Sequence, residues 1–270
     1  MDLQLPLTPG TVRSALFLLG MLVARGAVVT VIATLLCNTR WARRRAVVQG
    51  AISSSQLRKE LVAALGVVAV DAVIIALVLH AQLLQTITAS PTLDGALWVT
   101  ASFLLMFVWF EIWFYVTHRL FHTRALFWIH RQHHVARVTQ PLSALSFSVL
   151  ERLVLLAGTV GAAVLVNQFV PVSIRGLEIY LWLNYILNVA AHSNVELTPR
   201  AFGRSLLGAV FIGTAFHSLH HVRLAGHYGL FVRVLDRALG TEFSDYEAIR
   251  EQAARGTSVT PSGEASRFST

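Results

Sequence analysis

The chain contains eleven histidines, and ten of them fall in four places. His118 and His122 lie in HRLFH, and His130, His133 and His134 in HRQHH. His192 stands in AHSN, while His217, His220, His221 and His227 occupy HSLHHVRLAGHYG. Residues three and four apart share one face of a helix. The i,i+4 pair His118/His122 and the two HxxHH triplets can therefore each aim two or three imidazoles at one point. A tetrahedral zinc takes only four ligands, so nine or ten imidazoles suit two metal ions, each with four or five nitrogens. Imidazole serves Fe, Zn, Cu and Ni alike, and ring type alone does not choose among them.

Blander roles fit the clusters taken singly. His118 and His122 could anchor a helix end at a membrane interface, and the HxxHH triplets could form a basic surface for anionic lipid. Arginine does the latter better than neutral imidazole. His80 stands apart and reads as an interfacial or packing residue.

The elements that position these groups follow from composition. Of 270 residues, 55% are hydrophobic and 13% charged, against roughly 25% charged in soluble domains. A water-soluble enzyme of this size would lack surface residues. Several apolar runs exceed the ~18 residues of a bilayer span. The first runs from Ser14 to Cys37 and contains Arg25, which must pair or snorkel. The second, Leu61 to Leu84, contains Asp71, and the polar turn QTITASPTLDG leads to a third from Ala96 to Thr117. Leu142 to Val170 and Ile174 to Ala191 read as an out-and-back hairpin.

The net charge of +8 comes largely from arginines between spans, among them Arg40, Arg43, Arg44 and Arg45. The positive-inside rule explains such a distribution without nucleic acid. The same rule puts ten histidines on the cytoplasmic side. The expected fold is all-α: a polytopic membrane helical bundle of about four or five spans with a cytoplasmic helical cap carrying the His clusters. Residues 1–95 are expected to form N-terminal spans and a basic loop, 96–250 the catalytic unit, and 251–270 a disordered Ser/Thr/Gly-rich tail.

These residues resemble the motifs of the fatty acid hydroxylase/sterol desaturase superfamily, the membrane-bound non-haem di-iron oxygenases. Glu111, Tyr115, His118, Arg119 and His122 match its opening element, with Glu where Asp is usual. Trp128 and HRQHH are similar to its W-x-H-K/R-x-HH. SALSFSVLE is similar to S-A-x-S-F-H-P-L-E, with Ser148 and Val149 replacing His-Pro and Glu151 kept. HSN at His192, then HSLHH and HYG, match the last elements, with His227 where Asn is commoner. LDRALGT, with Asp236 and Thr241, is similar to WDRLFGT.

The resemblance implies two irons bound by the ten histidines, O2 as co-substrate, and hydroxylation or desaturation of a lipid. Glu111, Glu151, Glu196 and Asp236 become candidates to receive imidazole N–H groups and orient the rings. Arginine pairing is the competing expectation for Glu196 and Asp236. The sequence shows no GxGxxG after a strand, no CxxCH and no cysteine set, so electrons are expected from an external ferredoxin or cytochrome b5 type donor. Arg119, Arg124, Arg131 and Arg223 offer that donor a positive face, or simply set topology. A bacterial inner-membrane lipid modifier is the expected setting. The alternative is a His-lined membrane metal-ion transporter, which should place ligands near the middle of several spans, where this chain has little beyond Asp71.

Overall fold

Backbone groups in hydrocarbon must be satisfied within the segment, so long apolar runs become helices. The structure, a computed structural model, describes residues 9–81, 83 and 93–257. Twelve α-helices are seen among these residues: α1 Pro9–Cys37, α2 Arg40–Arg44, α3 Ser54–His80, α4 Leu93–Phe121, α5 Phe127–His130, α6 Val149–Leu156, α7 Ala162–Asn167, α8 Ile174–Ala191, α9 Leu206–Val210, α10 Ala215–Arg223, α11 Val234–Ala238 and α12 Tyr246–Ala254. Pairing between strands is limited, among the described residues, to two isolated bridges, Ala46 with Val195 and Phe211 with Val232. The all-α expectation holds.

Four stretches are long and apolar enough to cross a membrane: Val12–Cys37, Ser54–His80, Gly95–Phe121 and Val149–Asn167. Helix α8 runs beside α4 as a further apolar rod. Helix α1 lies along α3, and its outward residues Leu16, Phe17, Leu35 and Leu36 stay exposed, as expected of a lipid-facing surface. Arg25 does not snorkel: its guanidinium stacks on the rings of Tyr185, 4.4 Å away, and Trp182, 5.3 Å away. Asp71 in α3 is paired in bidentate fashion with Arg152 of α6, at 2.6 and 2.7 Å.

The fourth apolar run begins later than its composition suggests. Pro141–Leu145 form a 3-10 turn, and only after Ser148 caps the Glu151 amide does the spanning helix start, at Val149. The apolar residues of this stretch are buried in the cap: Phe147 lies against the His133 ring, and Ala144 and Leu145 pack with Tyr185 and Val189 of α8. Glu60, fully buried near the start of α3, holds this turn by accepting from Gln140 Nε2 and Ser143 Oγ at 2.6 and 3.0 Å. The spanning helix then opens into a π turn over Ala157–Gly161. Its carbonyls take indole N–H groups: Trp109 donates to Gly158 O and Trp113 to Val154 O.

Met106, Phe110 and Phe114 of α4 pack with Leu177 and Tyr180 of α8 and with Phe231. A second cluster, Val47, Phe216, Leu219, Tyr246 and Ile249, joins α10 to α12 and to the first interhelical loop. Helix α12 carries on to Ala254, four residues into the expected tail. Residues 258–270, and the polar turn residues 84–92, lie outside the described residues.

Candidate metal centre

Each histidine is delivered by a helix end or a short turn. His118 sits in the last turn of α4, and His122 follows with its amide still bonded to the His118 carbonyl. His130 ends α5, His133 and His134 stand in a 3-10 turn, His192 caps α8, and His217, His220 and His221 lie on α10. HRQHH is thus broken between two helical pieces, where one continuous helix face was expected.

Nine imidazoles gather in two groups. His118, His122, His130, His134 and His220 form one, and His133, His192, His217 and His221 the other, with the ligand atoms of each group within 4.8 Å of one another. The i,i+4 pairs 118/122, 130/134 and 217/221 each stay together. The neighbours 133/134 and 220/221 are divided between the groups, because adjacent helical side chains point in different directions. Each HxxHH triplet therefore serves both groups: of the two or three imidazoles expected to meet at one point, two do, and the third joins the other group. The groups adjoin: the rings of His134 and His221 are centred 4.7 Å apart.

The ring tautomers test whether a cation fits. His118 Nδ1 donates to Tyr228 O at 2.9 Å, His192 Nδ1 to Asn188 O at 2.8 Å and His220 Nδ1 to Gly226 O at 2.7 Å. His133 Nδ1 faces Ser146 O at 3.3 Å. A carbonyl only accepts, so these nitrogens carry the proton and a neutral ring presents a bare lone pair at Nε2. Those lone pairs face each other. Nε2 of His192 lies 3.3 Å from that of His133 and 3.0 Å from that of His217, and Nε2 of His220 lies 3.2 Å from that of His134. His118 Nε2 and His130 Nε2 are buried with no hydrogen-bond partner.

Protonation does not relieve this crowding, since burial followed by neighbouring imidazoles holds His133, His217 and His221 well below the ordinary histidine range. Burial lowers His192 and His220 to about 4. Nitrogens bound at about 2.1 Å to one ion are about 3 to 4 Å apart, the spacing found here. The donor set therefore fits one divalent cation per group.

One of the four candidate acids meets a ring. Glu151 Oε1 accepts from His130 Nδ1 at 2.6 Å, with both side chains 2% exposed. The other three hold backbone. Glu196 Oε2 accepts from the Ala215 amide, the first of α10, and so caps the helix bearing three of the histidines. Asp236 accepts from the Tyr228 and Gly229 amides at 2.8 and 2.7 Å, fixing the turn whose carbonyl receives His118. Glu111 Oε2 accepts from the Phe231 and Val232 amides just beyond it. No ion pair of Glu196 or Asp236 with arginine is seen among the described residues.

His227 belongs to neither group. It stacks on Phe216 with ring centres 3.6 Å apart and donates from Nδ1 to Phe216 O. Arg223 is engaged by Asp245 through two bonds of 2.6 and 2.7 Å. Asn194, which the sequence marked only as the end of the HSN element, is the residue that fastens the loop before α3 to His192. It accepts from the Val48 amide, donates to the Val48 carbonyl, and its own carbonyl receives Val47 N. Its left-handed φ of 56° is a conformation that Asn tolerates better than most residues, and this was the available signal.

Comparison with known proteins agrees with the arrangement. The fatty acid hydroxylase profile matches residues 103–241, which include all ten clustered histidines. The chain belongs to the fatty acid hydroxylase family. Relatives include very-long-chain aldehyde decarbonylase GL1-6 of Oryza sativa, 29% identical over 153 residues, covering 54% of this chain and 24% of the relative. The same plant's GL1-1 decarbonylase is 31% identical over 156 residues, covering 55% and 24%. Protein CER1-like 2 of Arabidopsis thaliana is 31% identical over 153 residues, covering 53% and 24%. The match thus spans about a quarter of the length of these family members. No solved structure matches the chain.

Proposed function

We propose that this chain is a membrane-bound di-iron oxidase that uses O2 to hydroxylate or desaturate a lipid. The observation that carries the reading is the five-and-four arrangement of buried imidazoles whose Nε2 atoms converge. Family membership favours iron as the metal. The nine grouped rings are proposed as the metal ligands, and His227, the tenth clustered histidine, acts on the start of α10 through Phe216. When bound, two irons would supply the activation of O2 and the cleavage of an unactivated C–H bond.

The chain's own residues prepare the place for that chemistry. Backbone carbonyls hold Nδ1 of His118, His133, His192 and His220, and Glu151 holds that of His130, which fixes the orientation of these rings and raises the donor strength of Nε2. Apolar rings cover the imidazoles against water: Phe147 lies parallel to His133 at 4.6 Å, and Phe114 is tilted against His118 at 4.9 Å. The rings open from helix ends of an apolar bundle, which suits a substrate delivered from the bilayer. Electrons come from an external ferredoxin or cytochrome b5 type donor, and the arginine-rich loops favour a cytoplasmic site.

The names of the plant relatives support a second substrate reading, a very-long-chain aldehyde that loses its carbonyl carbon. The transporter alternative is disfavoured because Asp71, an acid in the middle of α3, is already paired with Arg152. Lipid mass spectrometry of cells with and without the protein is the test. A lipid that gains one oxygen or loses two hydrogens supports the reading. Alkane formation favours the aldehyde substrate, and an unchanged lipid profile with reductant and O2 present removes the oxidase assignment.

A further inference from the structure

We infer that the arginine-lined cavity where the first interhelical loop meets the end of α12 is a binding site for a phosphate group. The cavity holds about 400 Å³ and is lined by Arg40, Trp41, Arg44, Arg45, Arg255 and Gly256, with Ala254 at its edge. It contains four guanidinium groups and no acid in its wall.

Two of these arginines are already committed. Arg45 donates to Thr198 O at 2.5 Å and lies over the Trp41 ring at 4.7 Å, and Arg255 pairs with Glu251 at 2.6 Å. The side chains of Arg40 and Arg44 have no hydrogen-bond or ion-pair partner among the described residues. A planar fork with free donors matches two oxygens of a phosphate, and several forks around one space favour an anion of more than one charge.

Placement strengthens the assignment. Helix α1 ends at Cys37 and α3 begins at Ser54, so the cavity sits at the ends of two spanning helices, the level of lipid phosphates. Trp41 is 52% exposed, and tryptophan favours that interface. Topology alone would ask only for positive charge in the loop. It would not bring Arg255 from a helix more than two hundred residues along the chain, nor seat Gly256, at a φ of +78°, within van der Waals contact distance of Arg44. The walls are also held: Glu196 N donates to Arg45 O at 3.0 Å. A lipid headgroup and free phosphate share the chemistry, and this site does not depend on the oxidation proposed above.

The test uses the full chain in detergent, with calorimetric titration of dioctanoyl phosphatidic acid, dioctanoylglycerol and inorganic phosphate. Phosphatidic acid is expected to bind, and the R40Q/R44Q variant to bind it about tenfold more weakly. R40K/R44K, which keeps charge and loses the fork, should fall between. The charge-matched R58Q/R137Q variant should bind as wild type does. Competition by inorganic phosphate at similar concentration identifies free phosphate as the source, and its failure to compete identifies the headgroup. Equal binding by R40Q/R44Q and wild type, or by dioctanoylglycerol and phosphatidic acid, overturns the site.

Discussion

His130 and Glu151 share a hydrogen bond of 2.6 Å between Nδ1 and Oε1, sealed from solvent on both sides. The acid stands in the first turn of the fourth spanning helix and the ring at the end of α5, so the bond ties the cap to the bundle. Removing such an outer partner typically lowers metal affinity or activity about 10–100-fold. Glu151→Gln keeps the shape and replaces one carboxyl oxygen by an amide nitrogen. It should reduce iron retained after dialysis against a chelator, with Glu151→Ala losing more. Unchanged retention in both variants would show that the bond does not support the metal.

His220 and His227 are seven residues apart and differ in role. His220 converges with His134 at 3.2 Å, whereas His227 is stacked on Phe216 outside both groups. His220→Ala is expected to lose iron and all turnover. His227→Ala should retain iron and lose rate, because it frees Phe216 at the base of α10. The paired metal assay and turnover measurement separate the two, and equal iron loss would place His227 among the ligands.

Burial sets a pH window for the metal-free protein. His192 and His220 sit at about 4 in the fold, against an ordinary value of 6.5. Between these values the unfolded chain binds more protons than the native one, so stability falls as pH drops from 6.5 towards 4. Above 6.5 these two groups contribute no pH dependence. Thermal midpoints of chelator-treated protein between pH 7.5 and 5 are expected to be level at first and then to decline. A rise on acidification would contradict neutral buried rings.

The π turn gives a packing prediction. A Cβ on Gly158 would stand 2.1 Å from Trp113 Cδ1, while one on Gly161 meets nothing closer than 3.7 Å. Gly158→Ala must displace the indole that donates to Val154 O, and overpacking of this kind costs about 1–3 kcal/mol. Gly161→Ala should be nearly neutral. Unfolding titrations in mixed micelles check the difference, and equal midpoints would mean that Trp113 moves freely.

Spacing made much of the site legible, and the limits have physical causes. The three i,i+4 pairs were readable because helix geometry keeps such residues together, and each pair stays in one group. The division of His133 from His134, and of His220 from His221, required knowing where two separate groups lie, which no local pattern contains. Acids were recognised as partners but not their donors. Glu111, Glu196 and Asp236 bind backbone amides that lie seven to more than a hundred residues away, and sequence does not mark which amide a fold leaves free. The bundle itself followed from composition. The start of the fourth span did not, since residues buried in a cap and residues facing lipid are equally apolar, and the role of Glu60 was hidden because its partners Gln140 and Ser143 are some eighty residues away.

The most direct measurement is the metal content of the purified chain and of one variant from each histidine group. Two irons per chain are expected, falling to one or fewer in His134→Ala and in His217→Ala. About one zinc per chain with no iron, or full iron content in either variant, would contradict the di-iron centre.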